Sequence, residues 1–165
     1  MKQYKISSFD LEKNKKTPIQ FFELKKKPQF EHLYFGIERS YIEIINEIIG
    51  NHKKYYFEFD CSLYSEDKLF DFYSKEEILF YKHLINLNCE DKIEINKNQL
   101  NQILTFVLRE HLNGSIINEN EEVLFGYIYD FESLVYSDNI TEENIKEINK
   151  KGFNLEEFYF SFDFE

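Results

Sequence analysis

Apolar and polar side chains alternate along Tyr55–Tyr64, and this pattern places the strongest limit on the fold. One set is Tyr55, Phe57, Phe59, Cys61 and Leu63, and the other is Tyr56, Glu58, Asp60, Ser62 and Tyr64. Successive side chains of a strand point to opposite faces, so one face is predicted to lie on a core and the other to meet solvent. Half-polar strands favour an antiparallel or mixed sheet that carries helices on its apolar face.

Further strands follow from runs of aromatic and β-branched residues. They are predicted at Lys2–Phe9, Ile19–Leu24, His32–Ile37, Val123–Phe131 and Phe158–Phe164. The expected fold class is α+β, a mixed or mainly antiparallel sheet of about five to six strands with about three to four helices packed on it. The chain has 165 residues and no Gly-, Ser- or Pro-rich linker, so one domain over residues 1–165 is expected.

Capping signals and helical periodicity predict the helices. Ser40 and Ser74 are each followed three residues later by glutamate, which fits the capping box that satisfies two amides at a helix start. A third helix is predicted from Asn98 to Asn113 and a fourth from Thr141 to Lys151. The expected order of elements is therefore β-β-β-α-β-α-α-β-α-β.

Negative charge dominates the second part of the chain. The net charge is −11, and residues 55–165 carry −15. Such a field repels nucleic acid, whose binding depends on Lys and Arg, and it attracts basic proteins. A need for solubility alone would give the same composition. We expect a basic protein partner and no nucleic-acid partner.

Compartment is inferred from the start of the chain and from the cysteines. The opening MKQYKISSFD has no apolar core of a signal peptide, and no apolar run is long enough to span a bilayer. Cys61 and Cys89 are too few for a disulfide-dense secreted scaffold. A cytoplasmic protein with reduced thiols and no membrane partner is expected.

Sequence motifs for catalysis are missing. The five glycines never cluster as in a phosphate-binding loop, and the four histidines lack zinc-ligand spacing. His111 and His83, both on predicted helices, are expected at surface or boundary positions. Glu58 and Asp60 share a strand face about 7 Å apart, which would suit a divalent cation, but a solvated face is the commoner arrangement. No enzyme, cofactor or metal is therefore expected.

Tyrosines interleaved with carboxylates suggest a protein-binding surface, since tyrosine gives large contact area and carboxylates accept Lys and Arg. The first predicted patch consists of Tyr56, Glu58, Asp60, Tyr64, Asp67, Asp71 and Tyr73, with Phe72 beside them. The second consists of Glu121, Glu122, Asp130 and Glu132, with Glu119 beside them. Either patch would equally serve as plain solvated surface.

Two acidic aromatic segments, FEFDCSLYSEDKLFDFY at residues 57–73 and FYFSFDFE at residues 158–165, complete the pattern. In these segments, in size, in α+β pattern and in its lack of a catalytic motif, the chain resembles small acidic immunity proteins of bacterial polymorphic-toxin and contact-dependent inhibition systems. The resemblance implies stoichiometric binding to one cognate toxin domain, often a basic nuclease, and occlusion of its active site. It assigns no role to any single residue.

Three other functions stay open at this point. A phage anti-defence protein that mimics nucleic acid would space carboxylates regularly along one face, like the phosphates of a strand. A diverged metal-dependent enzyme would use Glu58 and Asp60. A structural or accessory subunit would expose an apolar patch instead of an acidic one.

Overall fold

The elements of the computed structural model cover residues 1–8, 30–60, 70–87, 92–129 and 132–158, the part of the chain that the structure describes. Its strands are β1 (Gln3–Ser8), β2 (Tyr55–Asp60), β3 (Lys92–Ile95), β4 (Asn113–Asn118), β5 (Val123–Tyr129), β6 (Glu132–Tyr136) and β7 (Phe153–Glu157). Its helices are α1 (Phe30–Ile49), α2 (Lys75–Ile85), α3 (Lys97–Leu108) and α4 (Glu142–Lys150), with a 3-10 helix at Phe70–Phe72. The α+β class is confirmed, and the described residues hold seven strands where five to six were predicted.

Chain contacts define two compact units. Unit 1 comprises Met1–Ile49 with Asp130–Glu165, and unit 2 comprises Gly50–Tyr129. The strand order is β6-β1-β7 in unit 1 and β3-β2-β4-β5 in unit 2. Each strand pair whose register is determined is antiparallel. The single domain over residues 1–165 stays a prediction.

Helix α1 is the main departure from the sequence predictions. It begins at Phe30, so the strand predicted at His32–Ile37 is wrong, and Ser40 lies inside the helix instead of capping it. The apolar spacing explains this, because Tyr34 is fully buried and stays in helical phase with Tyr41 and Ile48. The aromatic and β-branched residues before Ser40 favour a strand locally, and packing of the continuous helical face overrides that preference.

Unit 1 is held by a buried tyrosine as well as by apolar contacts. The Tyr41 hydroxyl lies 3.1 Å from the Ile6 carbonyl oxygen and 3.0 Å from Ser133 Oγ. The Tyr41 ring meets the Phe153 ring edge to face, with centroids 5.5 Å apart. Burial raises the pKa of Tyr41 far above its ordinary value, so the hydroxyl keeps its proton. This residue therefore links α1 to all three strands of the unit.

Two glycines, one inside α1 and one just after its last residue, differ in backbone conformation. Gly36 lies inside the helix with open space where a Cβ would stand, whereas Gly50 has φ +68° just after the helix. We expect Gly36→Ala to raise the free energy of unfolding by about 0.5–1 kcal/mol, because glycine loses more backbone entropy in a helix. Gly50→Ala should lower it by about 1–2 kcal/mol, because alanine is strained in the left-handed region. Urea denaturation measures both, and a loss of stability in Gly36→Ala would contradict the expectation.

The other helices follow their capping signals. Ser74 and Glu77 form the predicted capping box of α2, and Thr141 with Asn144 caps α4, close to the predicted start. The third helix begins near the predicted residue but ends at Leu108 instead of Asn113. It ends because Glu110 takes a left-handed φ of 60°, and the chain then turns into β4.

The strand predictions hold for three segments and miss four strands. β1, β2 and β5 confirm the strands predicted from Lys2, Tyr55 and Val123, within the described residues. Strands β3, β4, β6 and β7 were missed. The predicted strands Ile19–Leu24 and Phe158–Phe164 lie outside the described residues, except Phe158, which follows the end of β7. Within the described part of the chain, no helix is both long and apolar enough to cross a bilayer.

Candidate functional site: an acidic groove in unit 2

The outward face of β2 carries Tyr56, Glu58 and Asp60 of the predicted first patch. Tyr55 and Phe57 are buried beneath the sheet, whereas Glu58 and Asp60 are exposed and Tyr56 is half-buried. Burial thus alternates as predicted as far as Glu58, whereas Phe59, predicted on the buried face, is half-buried. Burial of a side chain such as Phe57 contributes about 1.5–3 kcal/mol, which fixes the strand face that holds the two carboxylates.

Neighbouring strands place small and polar residues beside these carboxylates. Glu58 pairs in register with Ser115 of β4, and Ser115 pairs with Gly126 of β5. Asp60 pairs with Asn113, also of β4. Residues directly opposite in an antiparallel pair share a face, so the row from Glu58 to Gly126 lies on one surface.

A groove of about 390 Å³ opens where these residues meet, and it is called the outer groove below. It is lined by Glu58, Phe59, Asp60, Asn113, Gly114, Ser115, Gly126 and Tyr127. Gly126 creates much of its depth, because a Cβ there would meet nothing closer than Ser115 Oγ at 3.9 Å. The groove thus has a floor of small residues and carboxylates along one side.

Hydrogen bonds orient the walls of the outer groove. The Asn113 side-chain amide donates to Asp60 Oδ2 over 3.4 Å, and Asn113 Oδ1 accepts from the Gly114 amide at 3.0 Å. The hydroxyl of Tyr127, whose side chain alternates to the other face of β5 from Gly126, donates to Glu110 Oε1 over 3.3 Å. The exposed atoms are therefore mainly hydrogen-bond acceptors, which suit a cationic ligand group.

Some carboxylates of unit 2 have cationic partners among the described residues. Glu94 lies 2.7 Å from Lys54 Nζ, Glu121 lies 2.5 Å from Lys92 Nζ, and Glu119 lies 3.8 Å from His52 Nδ1. Lys92 stands opposite Glu58 in the strand register; its ammonium group pairs with Glu121 and also interacts with the charge of Glu58. Among the described residues, neither Glu58 nor Asp60 forms an ion pair. These two carboxylates therefore leave negative charge at the outer groove, which Lys92 offsets in part.

The members of the second predicted patch are divided between the two units. Glu121 and Glu122 are exposed in unit 2, and Asn118 Nδ2 donates to Glu122 at 2.7 Å. Glu132 belongs to unit 1, is half-buried, and lies 2.9 Å from Lys5 Nζ. Asp130 lies outside the described residues. Several members of this patch are thus occupied by internal partners.

The ion pair with Lys92 also changes the pKa of the Glu121 carboxyl. The hydrogen bond from Lys92, reinforced by its charge, lowers the pKa of the Glu121 carboxyl. A lowered pKa means that the pair stabilises the fold above the ordinary carboxyl pKa and loses that effect as pH falls through the lowered value. In Lys92→Met we expect the pKa of Glu121 to rise toward its ordinary value in a carboxyl-carbon NMR titration. Lys150→Met is the control: it should raise the pKa of Glu147, which Lys150 lowers, and leave Glu121 unchanged.

The remaining residues of the first patch have different surroundings. Asp71 and Phe72 are exposed on the 3-10 helix, and Phe72 has 44% of its surface accessible. Tyr64 and Asp67 lie outside the described residues. Tyr73, predicted on the docking surface, is buried, so that prediction is wrong; its ring packs on Phe106 at 5.0 Å. Tyr73 is buried because its ring gains aromatic contact with Phe106 in the core of unit 2.

A buried polar cluster, which the sequence did not reveal, holds Tyr73 in place. Its hydroxyl lies 2.7 Å from His111 Nδ1, and the guanidinium carbon of Arg109 lies 4.6 Å from the centre of its ring. The Tyr81 hydroxyl donates to the His111 carbonyl oxygen at 3.2 Å. His111 is fully buried, so its predicted surface or boundary position is wrong. The apolar phase of α3 ends before His111, and no local pattern indicated its burial.

Sequence reasoning predicted only two of the eight residues that line the groove, Glu58 and Asp60. The other six were not among the predicted site residues: Phe59, Asn113, Gly114, Ser115, Gly126 and Tyr127. One signal was present: a glycine inside a predicted strand, such as Gly126, marks a close approach or an opening of the surface. Among the described residues, no group of three or more His, Cys, Asp or Glu side chains is placed to hold a metal ion.

Comparisons with known proteins were made at the level of sequence families, curated proteins and solved structures. None of the three found a match to this chain.

Proposed function

We propose that this protein is a non-enzymatic acidic inhibitor, an immunity protein that neutralises a basic toxin, namely a nuclease domain, by stoichiometric binding in the cytoplasm. The observation that supports the proposal is the outer groove: Glu58 and Asp60 present two carboxylates, neither in an ion pair among the described residues, on a sheet face whose other side buries Phe57. A rigid surface with fixed acceptors loses little entropy on binding, which favours tight association.

Occlusion is the mechanism that follows from such a surface. Carboxylates on the inhibitor occupy positions that substrate phosphates take in a basic cleft, and they speed encounter through long-range attraction. The half-buried Tyr56 lies on the same strand face as the charged residues and supplies aromatic area, the kind of contact that dominates binding energy at interfaces. No chemical step is required of the inhibitor.

Mimicry of nucleic acid is the nearest alternative function. The outward face of β2 favours inhibition of a basic protein over such mimicry. Glu58 and Asp60 are two residues apart on β2, a spacing of about 7 Å that resembles a phosphate repeat. The row is short, because the next outward residue is Tyr56 and the strand neighbour opposite Glu58 is Lys92. A mimic would continue the carboxylates along the face.

Calorimetric titration tests the proposal. The probe is the purified basic nuclease domain encoded beside the gene for this chain, in inactive form, at two salt concentrations. We expect one-to-one binding with a dissociation constant below about 1 µM, weakened at high salt because exposed charges are screened. Failure of every neighbouring toxin domain to bind in this range, or binding indifferent to salt, would overturn the proposal.

A further inference from the structure

We propose that Asn113 is a site of spontaneous modification: its side chain cyclises with the Gly114 amide, loses ammonia and ends as aspartate or isoaspartate. The inference goes beyond the proposed inhibitor function and does not depend on it. Asn113 and Gly114 form the one Asn-Gly pair in the sequence. Glycine has no Cβ, so it offers the least steric resistance to closure of a five-membered ring at the peptide bond that joins the two residues.

Packing of unit 2 requires the glycine on which this reaction depends. Gly114 is buried in β4, and a Cβ at this position would overlap the Glu58 carbonyl oxygen and lie 2.6 Å from Phe57 Cζ. Any larger residue after Asn113 would therefore have to separate β4 from β2. The side chain that hinders ring closure in other Asn-X pairs is thus excluded here by the fold.

The reacting groups already lie together. The Gly114 amide donates to Asn113 Oδ1 over 3.0 Å, and Asn113 Cγ, the carbon that is attacked, is bonded directly to that oxygen. Because the nucleophilic nitrogen and the carbon start close together, little freedom is lost in reaching the transition state. Asn113 is also the first residue of β4 and is half-exposed, so water and hydroxide reach its side chain.

Water is the only other reactant. The Gly114 nitrogen gives its proton to hydroxide and bonds to Asn113 Cγ; the Cγ–Nδ2 bond breaks, and Nδ2 takes a proton from water and leaves as ammonia. Water then opens the succinimide ring. Cleavage between Cγ and the nitrogen leaves aspartate, and cleavage between the Asn113 backbone carbonyl carbon and the nitrogen leaves isoaspartate. In sum, ammonia is lost and water is gained, without oxidation or reduction.

Either product disturbs the surroundings of Asn113. Its side-chain amide now donates to Asp60 Oδ2 over 3.4 Å. Aspartate replaces this donor with a second carboxylate, so the hydrogen bond gives way to repulsion between like charges. Isoaspartate carries the main chain through Cγ and lengthens it by one atom, directly before a glycine that has no space to move. Both products are therefore expected to weaken the pairing of β4 with β2.

The test is tryptic peptide mapping by mass spectrometry after the full chain has been incubated, folded, at mildly alkaline pH in water enriched in heavy oxygen. Asn120 is the internal control, because it lies on the same tryptic peptide, is exposed and is followed by glutamate. We expect the new, labelled carboxylate to form at Asn113 at least about tenfold faster than at Asn120. Equal rates at the two asparagines would overturn the inference.

Asn113→Gln separates this chemistry from general ageing of the protein. The longer side chain has to close a six-membered ring, and labelling at this position should fall at least about tenfold. After the same incubation, wild type should show a fraction with a lower midpoint of thermal unfolding, whereas Asn113→Gln should keep its single transition. Asn113→Ser, which has no side-chain amide, supplies the same comparison if Asn113→Gln does not fold. A lowered midpoint in aged wild type without labelling at Asn113 would contradict the proposal.

Discussion

Replacement of Gly114 by alanine is expected to lower the free energy of unfolding by at least about 2–3 kcal/mol, the range for overpacking a rigid site. A Cβ at this position would overlap the Glu58 carbonyl oxygen and lie 2.6 Å from Phe57 Cζ. The Phe57 ring is fully buried and cannot swing aside, and the carbonyl belongs to the backbone of β2. The strand pair beneath the outer groove would therefore have to separate.

Urea denaturation followed by circular dichroism measures this loss. Gly126→Ala is the matched control, because it lies one strand away and has no atom within 3.9 Å of the new Cβ. Its free energy of unfolding should stay within about 1 kcal/mol of wild type, with a small gain because alanine has less unfolded-state entropy. Similar stability of the two variants would show that β2 and β4 are not packed as described.

Reversal of both groove carboxylates, Glu58→Lys with Asp60→Lys, is expected to weaken binding to the toxin domain at least about 100-fold. Removing one partner of a close interfacial charge pair costs about 2–5 kcal/mol, and each 1.4 kcal/mol is tenfold in affinity. Stability should change little, because both side chains are exposed and neither forms an ion pair within the described residues. The measurement is calorimetric titration beside a thermal melt.

The control for this pair is Glu43→Lys with Glu156→Lys, which changes the net charge equally at exposed positions of unit 1. We expect a loss below about tenfold, since distant surface charges act mainly through the general field. If both double variants lose affinity equally, the acidic composition acts as a whole and the outer groove has no special part. If neither loses affinity, the docking surface lies elsewhere.

Local patterns of the sequence predicted a substantial share of the fold. Strand β2 followed from alternation at every second residue, and α2 from the pair Ser74 and Glu77, which form the capping box. Both signals act between residues close in sequence, so they predict the same local structure wherever the segment lies in the fold. Tyr56, Glu58 and Asp60, the described members of the predicted polar set, lie on the outer face of β2 for the same reason.

Segments with two competing patterns were not predictable in this way. Residues 32–37 have strand-forming composition, and α1 forms there because Tyr34 and Tyr41 continue one buried helical face. Strands β3 and β7 are short and partly charged, and they exist because β2 and β1 offer backbone partners. Strand pairing of this kind depends on contacts between residues that are far apart in the chain. A short stretch of sequence does not reveal such contacts.

What the sequence determined by itself was the chemistry: acidic, aromatic, free of the catalytic motifs sought, with Glu58 and Asp60 on one strand face. Only the tertiary structure decided which carboxylates form ion pairs with a cation. Lys92 stands opposite Glu58 but reaches Glu121, and Tyr73 turns inward to His111. The physical reason is that charge pairing and burial depend on distances across strands, and the chain sets those distances only when its strands take their register.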